Sequence, residues 1–238
     1  MSIALQVALV MVTILVVLLV IGAPIGVAIG MSSAVSMICM IPADVSFATS
    51  AQRIFAGSNS FSLIAIPFFI LAGNIMNNGG IATRLVNCAK VISGRMPGAL
   101  AQSNVVANML FGAISGSGAA AAAAMGGTIG PLEEKEGYDK NYSTAVNVAS
   151  APVGMLIPPS NTMIVYSSVA GSVSIAALFM AGYIPGLLWG GAVMILAGIM
   201  AKKRGYQAEQ RVPVKVALKT FWQAIPSLLL IVIVIGGI

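Results

Sequence analysis

Histidine is absent from this 238-residue chain, cysteine occurs twice, and only 8% of the residues are charged. Hydrophobic residues make up 58%, and the mean hydropathy is +0.99. A soluble domain needs far more charge to cover its surface, so the composition predicts an all-α polytopic membrane protein. Cys39 and Cys88 form no disulfide framework and no zinc-ligand spacing. The net charge of +6 comes from short loops between apolar blocks, which indicates topology signals and not a nucleic-acid-binding face.

Five blocks of the sequence contain no charged residue: 1–43, 54–83, 96–132, 141–201 and 221–238. A bilayer core of about 30 Å takes about 20 helical residues. The first block therefore predicts two spans, separated at "IGAPIGVAIG", where Pro24 and its flanking glycines break the helix. Nearly all basic residues lie between the later blocks. Because short cytoplasmic loops are enriched in Lys and Arg, we predict that the N-terminus lies outside the cytoplasm.

The block 96–132 raises a length problem. A straight helix over these roughly 37 residues would reach about 55 Å, which is too long for one crossing. Arg95 before it and "EEKEGYDK" (133–140) after it carry cytoplasmic-type charge. We therefore predict a re-entrant hairpin with "SGSGA" at its tip, and we interpret "EEKEGYDK" as a solvated cytoplasmic turn. Two ordinary spans with a tight turn, or one long tilted span, are the alternatives.

The segment "APVGMLIPPSNTMIVYSS" (151–168) predicts a second interruption. Pro158 and Pro159 donate no hydrogen bond, so the carbonyls one turn earlier, at Gly154 and Met155, should lose their partners. The prolines should also move the residues before them out of helical geometry. The residues "SNT" that follow offer capping oxygens for a helix that restarts. A simple proline kink is the alternative.

The uncharged blocks also contain no group that could serve as a proton carrier or as a general base. Proton-coupled carriers usually keep an ionisable residue inside the membrane, and a serine nucleophile needs a base within reach. Carbonyl oxygens freed at helix breaks can instead bind a monovalent cation. We therefore predict that the chain is not an enzyme, that it has no cofactor, and that Na⁺ is its coupling ion.

Four segments carry a resemblance to a known family: "IGAPIGVAIG", "IPFFILAGNIMNNGGIATRL", "GRMPGALAQSNVVANMLFGAISGSGAAAAAAMG" and "GMLIPPSNTMIVY". The chain resembles the large membrane subunit (the DctM-like or M subunit) of tripartite ATP-independent periplasmic (TRAP) transporters. The resemblance implies the first inverted repeat of an elevator-type fold of the ion transporter superfamily. It also implies sodium-driven uptake of an organic acid across the bacterial inner membrane, with the N-terminus in the periplasm. The implied partners are a small four-helix (Q-type) membrane subunit and a periplasmic binding protein. Sialic acids, C4-dicarboxylates and sugar acids all remain open as substrates.

The predicted organisation along the chain combines these points. It comprises N-terminal scaffold spans (1–79), an amphipathic interfacial arm helix (80–95), the re-entrant hairpin (96–138), a broken transmembrane helix (139–172), a transmembrane helix (173–204), a cytoplasmic arm or loop (205–220) and the start of a further transmembrane helix (221–238).

The resemblance assigns roles to residues in both interruptions. The sodium-binding residues it implies are Gly112, Ser115, Gly116, Ser117, Gly154, Ile157 and Pro159. The residues it implies for the substrate and ion region are Ser160, Asn161 and Thr162. M subunits are nearly twice this length, so the second repeat and half of the substrate site are expected to be missing, and the chain alone is not expected to transport. A non-transporting scaffold or assembly subunit is the alternative function.

Overall fold

A computed structural model describes residues 3–59, 61–171, 173–208 and 213–236. All regular secondary structure in these ranges is helical, which confirms the predicted all-α class. The helices are α1 (Ile3–Val20), α2 (Ile25–Ile38), α3 (Ala43–Ser58), α4 (Phe61–Asn78), α5 (Ile81–Ser93), α6 (Ala99–Ser115), α7 (Gly118–Thr128), α8 (Gly130–Lys135), α9 (Lys140–Ser150), α10 (Val153–Leu156), α11 (Asn161–Ala170), α12 (Ile175–Arg204) and α13 (Val214–Gly236). The chain divides into two compact units, Met1–Phe61 and Ser62–Ile238.

The first unit contains α1, α2 and α3. Helix α2 begins directly after Pro24, as expected for a residue whose ring fixes φ at a value compatible with a helix start. Helix α3 was not predicted, because its charged residues Asp44 and Arg53 excluded it from the apolar blocks. The hydroxyl of Ser46 donates to the carbonyl of Ala34 (2.8 Å) and so joins α3 to α2.

Within the described residues, α1 and α12 are the two single helices long and apolar enough to cross a membrane. Helix α12 has 30 residues and extends about 45 Å. The segments Lys140–Leu156 and Asn161–Ala170 form a pair that is bent by 49° at its break and would give a third crossing if it counts as one span. Helix α2, with 14 residues, is shorter than a bilayer core requires, so the second span in block 1–43 stays a prediction.

The second unit is organised around α6. This helix is buried along most of its length and packs against α5, α7, α9, α10 and α12. Helix α5 is amphipathic, as predicted for residues 80–95, and its apolar face packs on α6 and α13. Whether α5 also lies at the membrane interface stays a prediction.

Helix α13 begins at Val214, whereas the sequence analysis placed residues 205–220 in an arm or loop and began the helix at 221. The backbone N–H groups of Val216 and Ala217 both donate to the carbonyl of Pro213. Two lysines in this first part of the helix had interrupted the apolar block. The absence of charge in a sequence segment therefore predicts where apolar surface lies, but it does not predict where a helix begins or ends.

Candidate ion-binding site

The first interruption separates α6 from α7. Gly116 has φ 62° and ψ 13°, a left-handed conformation that glycine adopts without a Cβ penalty. Its N–H donates to the carbonyl of Gly112 (2.7 Å) and closes α6. Ser117 is extended, and its hydroxyl caps α7 by accepting from the N–H of Ala120 (3.3 Å). The predicted break at "SGSGA" therefore lies at Gly116 and Ser117.

The second interruption separates α10 from α11. Ile157 is extended (φ −81°, ψ 124°), as predicted for a residue before proline. Ser160 is the N-cap of α11, and its hydroxyl accepts from the N–H of Met163 (3.4 Å). The same hydroxyl donates to the carbonyl of Met155. The prediction that Met155 would lack a hydrogen-bond partner is wrong, because the chain folds back and brings Ser160 to this carbonyl.

Three carbonyl groups in the second interruption remain available. In the ranges that the structure describes, no backbone or side-chain donor reaches the oxygens of Ile157, Pro158 and Pro159. Pro158 and Pro159 are themselves buried. Buried carbonyl oxygens normally have a partner, so these three are candidate ligands for a cation.

The two interruptions lie side by side. A Cβ atom added to Gly112 would lie 2.3 Å from the Cα of Gly154, so the backbones of α6 and α10 touch. A Cβ atom on Gly116 would lie 3.0 Å from the backbone nitrogen of Asn161, whose side-chain Nδ2 donates to the carbonyl of Ser115 (3.4 Å). Gly112, Ser115 and Gly116 of the first interruption therefore lie beside Gly154 and Asn161 of the second.

The side chain of Asn161 has a further property. Its Oδ1 atom is buried and accepts no hydrogen bond from any described residue, while its Nδ2 atom is directed to Ser115. The Oδ1 atom of Asn161 is therefore a buried acceptor that has no hydrogen-bond donor, and hard cations bind oxygens of this kind. Asn161 lies at the first position of α11, where the first N–H groups of a helix also lack intrahelical partners.

Two of the other predicted residues contribute differently. The hydroxyl of Ser160 is used in the cap and in the bond to Met155. Thr162 is exposed and lines a separate apolar cavity of about 320 Å³ together with Tyr166 and Trp189. The structure therefore brings Asn161, but not Thr162, to the point where the interruptions meet.

Helix α12 also approaches this site, which the sequence analysis missed. A Cβ atom on Gly182 would lie 2.3 Å from the carbonyl oxygen of Leu156, and one on Gly186 would lie 2.7 Å from the side chain of Ile157. Glycines at four-residue spacing in an apolar helix are the available sequence signal, because this spacing favours close helix packing.

A buried polar network connects α6, α7 and α9 beside the site. The Nδ2 atom of Asn108 lies within hydrogen-bond distance of Asn104 Oδ1 (2.9 Å), Asn147 Oδ1 (2.9 Å) and Ser150 Oγ (2.8 Å), and its two protons are shared among these three acceptors. The Nδ2 atom of Asn147 in turn donates to the carbonyl of Ala122 (2.9 Å). The two asparagines four residues apart in α6 were the signal for it, since this spacing places them on one helix face.

The segment "EEKEGYDK" is only partly the solvated turn that was predicted. Glu133 is 1% exposed, although Glu134, Lys135 and Glu136 beside it are exposed. The interpretation is therefore wrong for Glu133, because α8 packs against α7 and α9 and turns this one side chain inward.

Comparison with known proteins places the chain among transport permeases. The model of the family "Tripartite ATP-independent periplasmic transporter, DctM component" matches residues 12–238. The protein YgiK of Salmonella typhimurium is 53% identical over 207 residues, which cover 87% of this chain and 48% of that protein. The isethionate TRAP transporter permease protein DctMQ of Oleidesulfovibrio alaskensis is 44% identical over 192 residues (79% of this chain, 30% of that protein). The sialic acid TRAP transporter large permease protein SiaM of Vibrio cholerae is 40% identical over 193 residues (79% and 44%). The chain spans about half the length of these relatives or less.

Proposed function

Because the chain belongs to the DctM component family of tripartite ATP-independent periplasmic transporters, we propose that it forms part of the large membrane subunit of a sodium-coupled secondary transporter. The family is one of transport permeases and not of enzymes. The transported substrate in this proposal is an organic acid, since the relatives are named for anions such as isethionate and sialic acid.

The sodium site of this proposal lies where the two interruptions meet. Its oxygen ligands are drawn from the carbonyls of Ser115, Ile157 and Pro159 and from the Oδ1 atom of Asn161. The support is that Asn161 Oδ1 is buried without a donor, that the carbonyls of Ile157 and Pro159 accept no bond from the described residues, and that the carbonyl of Ser115 accepts the 3.4 Å bond from Nδ2 of the same asparagine. Neither interruption contains a charged residue, and neutral oxygens suit a monovalent cation better than a divalent one.

The glycines of the site act as positioning residues in this account. Gly112 and Gly154 allow the two backbones to touch, and Gly116 provides the left-handed turn that presents the carbonyl of Ser115. Ser117 and Ser160 cap the helices that restart. Bound Na⁺ would join the α6–α7 segment to the α10–α11 segment, so that sodium binding favours one packing of the two interruptions.

The substrate carboxylate is proposed to bind near the N-terminus of α11. The positive end of a helix dipole and its free N–H groups attract anions, and the sodium site lies beside them. This arrangement would couple the two ligands, because a bound cation lowers the cost of bringing a carboxylate there. The remaining part of the substrate site would come from the sequence that the relatives contain beyond the matched region.

The family relationship supports a proposed transport mechanism and a proposed cellular location. We infer an elevator movement in which α6–α7 is a re-entrant hairpin and the segment 62–236 belongs to the first of two inverted repeats. The permease would lie in the bacterial inner membrane with its N-terminus in the periplasm. A small four-helix membrane subunit of the Q type and a periplasmic binding protein would be its partners.

Sodium-dependent stabilisation of the intact permease tests the site without requiring the substrate. A ligand that binds only the folded state stabilises it by an amount that depends on its concentration relative to its Kd. For Asn161→Ala, the sodium concentration that gives the same fixed rise in melting temperature should increase at least about tenfold, equivalent to about 1.4 kcal/mol. Potassium replaces sodium at constant ionic strength.

Asn141→Ala is the matched control, because Asn141 is exposed at the start of α9 and should leave the sodium dependence unchanged. An Asn161→Ala permease with the sodium dependence of the unaltered protein would contradict the proposed site. Absence of any sodium-dependent stabilisation in the unaltered protein would favour a scaffold or assembly subunit.

A further inference from the structure

Glu133 is a buried carboxyl group that the proposed sodium site does not use. It lies in the short helix α8, outside the segments that could cross a membrane. Its backbone N–H donates to the carbonyl of Ile129 (2.9 Å), and its carbonyl accepts from the N–H of Tyr138 (2.9 Å). This turn holds the side chain inside the second unit, where it is 1% exposed.

The carboxyl group lies at a cavity of about 350 Å³ between α6, α7, α8 and α9, which Asn104, Gly126, Ser143 and Asn147 help to line. Within the described residues, neither oxygen of Glu133 has a hydrogen-bond partner, and the Nδ2 atom of Asn104 and the hydroxyl of Ser143 are likewise buried without one. Asn104 is 1% and Ser143 8% exposed. Two donors and a carboxyl group thus line one pocket, whose mouth is formed by exposed residues such as Glu134 and Lys140.

Among the described residues no cation forms an ion pair with Glu133, although Lys140 lines the same pocket. The charged and titratable groups around it are Glu134, Lys135 and Glu136 on its own helix, Tyr138 and Asp139 in the following turn, and Lys140 and Tyr142 on α9. Helices α6 and α7 contribute none. Arg204, which follows on α12, is paired with Asp139 at 3.0 Å.

The energetic balance follows from this environment. Burial raises the pKa of Glu133 from 4.5 to about 7. The side chains of Ser143 and Asn104 oppose the shift because they lie close to the carboxyl group, although neither reaches it with the geometry of a hydrogen bond, and Glu136 adds to the shift. A buried carboxylate without a paired cation is unfavourable, whereas the neutral acid can donate its O–H and accept from Asn104 at the same time.

We propose that Glu133 is a proton-binding site, in which the close packing of α8 on α6, α7 and α9 holds the neutral carboxylic acid and entry of water releases the proton. On binding, a hydronium ion transfers a proton to one carboxylate oxygen, which leaves a neutral water molecule and a neutral carboxylic acid. The site is linked to the rest of the unit through Asn104, whose Oδ1 atom accepts from Asn108, and Asn108 bonds to Asn147 and Ser150 on α9. Protonation therefore acts on the helix that leads into the second interruption.

This site complements the proposed sodium coupling and does not replace it. The sequence analysis disfavoured proton coupling because the uncharged blocks contain no ionisable residue. Glu133 lies one residue beyond such a block and is nevertheless buried. A proton bound here would make the packing of α8 on α6 and α9 depend on the pH of the adjacent aqueous phase.

Infrared difference spectroscopy of the intact permease in lipid nanodiscs tests the proposal. A carboxylic acid C=O band of the unaltered protein should disappear with a midpoint near pH 7, whereas an ordinary glutamate would titrate near pH 4.5. The band should be absent from Glu133→Gln and retained in Glu134→Gln, which removes a charge from an exposed position on the same helix. A band that titrates near pH 4.5, or one that Glu133→Gln retains, would overturn the proposal.

Thermal unfolding provides an independent readout. Because the folded state binds the proton more tightly than the unfolded state, the stabilisation by Glu133 is complete below pH 4.5 and is lost as the pH rises to about 7. The melting temperature of the unaltered protein should therefore fall relative to Glu133→Gln over this interval, while Glu134→Gln follows the unaltered protein. A difference that does not change with pH would contradict the proposal.

Two controls keep the result unambiguous. Should Glu133→Gln fold poorly, Glu133→Met fills the same space without a polar group and should show the same loss of pH dependence. All measurements are made in potassium without sodium or substrate, so failure of the proposed sodium site leaves them unaffected. Addition of sodium at fixed pH should leave the band unchanged, and its loss would identify a cation ligand in place of a proton site.

Discussion

At the scale of single residues, Ser160 illustrates how a helix break is stabilised. Its side chain is fully buried, and it serves two backbone groups that would otherwise lack partners, the carbonyl of Met155 and the N–H of Met163. Buried backbone groups without hydrogen bonds are costly. One hydroxyl therefore supplies a hydrogen-bond partner to a backbone group on each side of the second interruption.

Ser160→Ala should lower the free energy of unfolding by roughly 1–2 kcal/mol, because it removes the N-cap and leaves a carbonyl unpaired. The measurement is the thermal or denaturant-induced unfolding of the intact permease. Ser168→Ala is the control, since the hydroxyl of Ser168 only donates to the carbonyl of Ile164 within its own helix and its loss should have a small effect. Equal stabilities of the two variants would contradict this account of Ser160.

The local features of the break were predictable from the sequence, whereas the burial of Glu133 was not. Ile157 is extended because of the ring of the following proline, and Ser160 is a cap because of its short hydroxyl side chain. Both effects act within a few residues. Glu133 stands among exposed charged neighbours, and only the packing of α8 on other helices decides which of them is buried.

At the scale of elements, the contact between α6 and α10 depends on two glycines. Each is positioned so that an added Cβ would lie 2.3 Å from the Cα of the other. Such a distance is far below van der Waals contact, and backbone atoms cannot move aside as side chains do. The contact brings the first interruption next to the second.

Gly112→Ala should therefore destabilise the permease by roughly 1–3 kcal/mol and should also weaken sodium-dependent stabilisation, because α10 is displaced. Gly127→Ala is the matched control, since no atom lies within 4 Å of its Cβ position and alanine favours a helix by up to about 1 kcal/mol. Unfolding of both variants with and without sodium gives the comparison. A Gly112→Ala protein as stable as the control would show that the backbones are not in contact.

A second connection between elements joins the start of α9 to the end of α12. Asp139 caps α9 by accepting from the N–H of Tyr142 (2.9 Å) and contacts Arg204 at 3.0 Å. The backbone N–H of Asp139 donates to the hydroxyl of Tyr206 (2.8 Å), whose ring stacks on Tyr138 with centroids 4.2 Å apart. These contacts thus join the start of α9 to the end of α12, and both of these ends lie away from the second interruption.

The elements themselves were predicted unevenly, and the reason is physical. The two interruptions followed from glycine and proline, which act locally on the backbone. Helix α3 and the first part of α13 were missed because both carry charges, and the absence of charge was used to locate helices. Charge reports the environment of a segment, while helix formation depends on backbone propensity.

At the scale of the whole molecule, the family predicted from four motifs is confirmed by the match over residues 12–238. The meeting of the two interruptions could not be derived from residue chemistry alone, because four helices, α7 to α10, separate them in sequence. The family resemblance grouped residues from both interruptions, of which Gly112, Ser115, Gly116, Gly154 and Asn161 lie together in the structure. The relatives are about twice as long or longer, so transport is a property proposed for the intact permease.

The central claim is that oxygens of two interrupted helices enclose a sodium ion. Structures of the intact permease determined once in sodium and once in potassium would test it most directly. We predict density in the sodium form alone, bounded by the carbonyl oxygens of Ser115, Ile157 and Pro159 and by Oδ1 of Asn161. Identical maps with no ion between the interruptions, or continuous helices through residues 112–118 and 154–162, would contradict it.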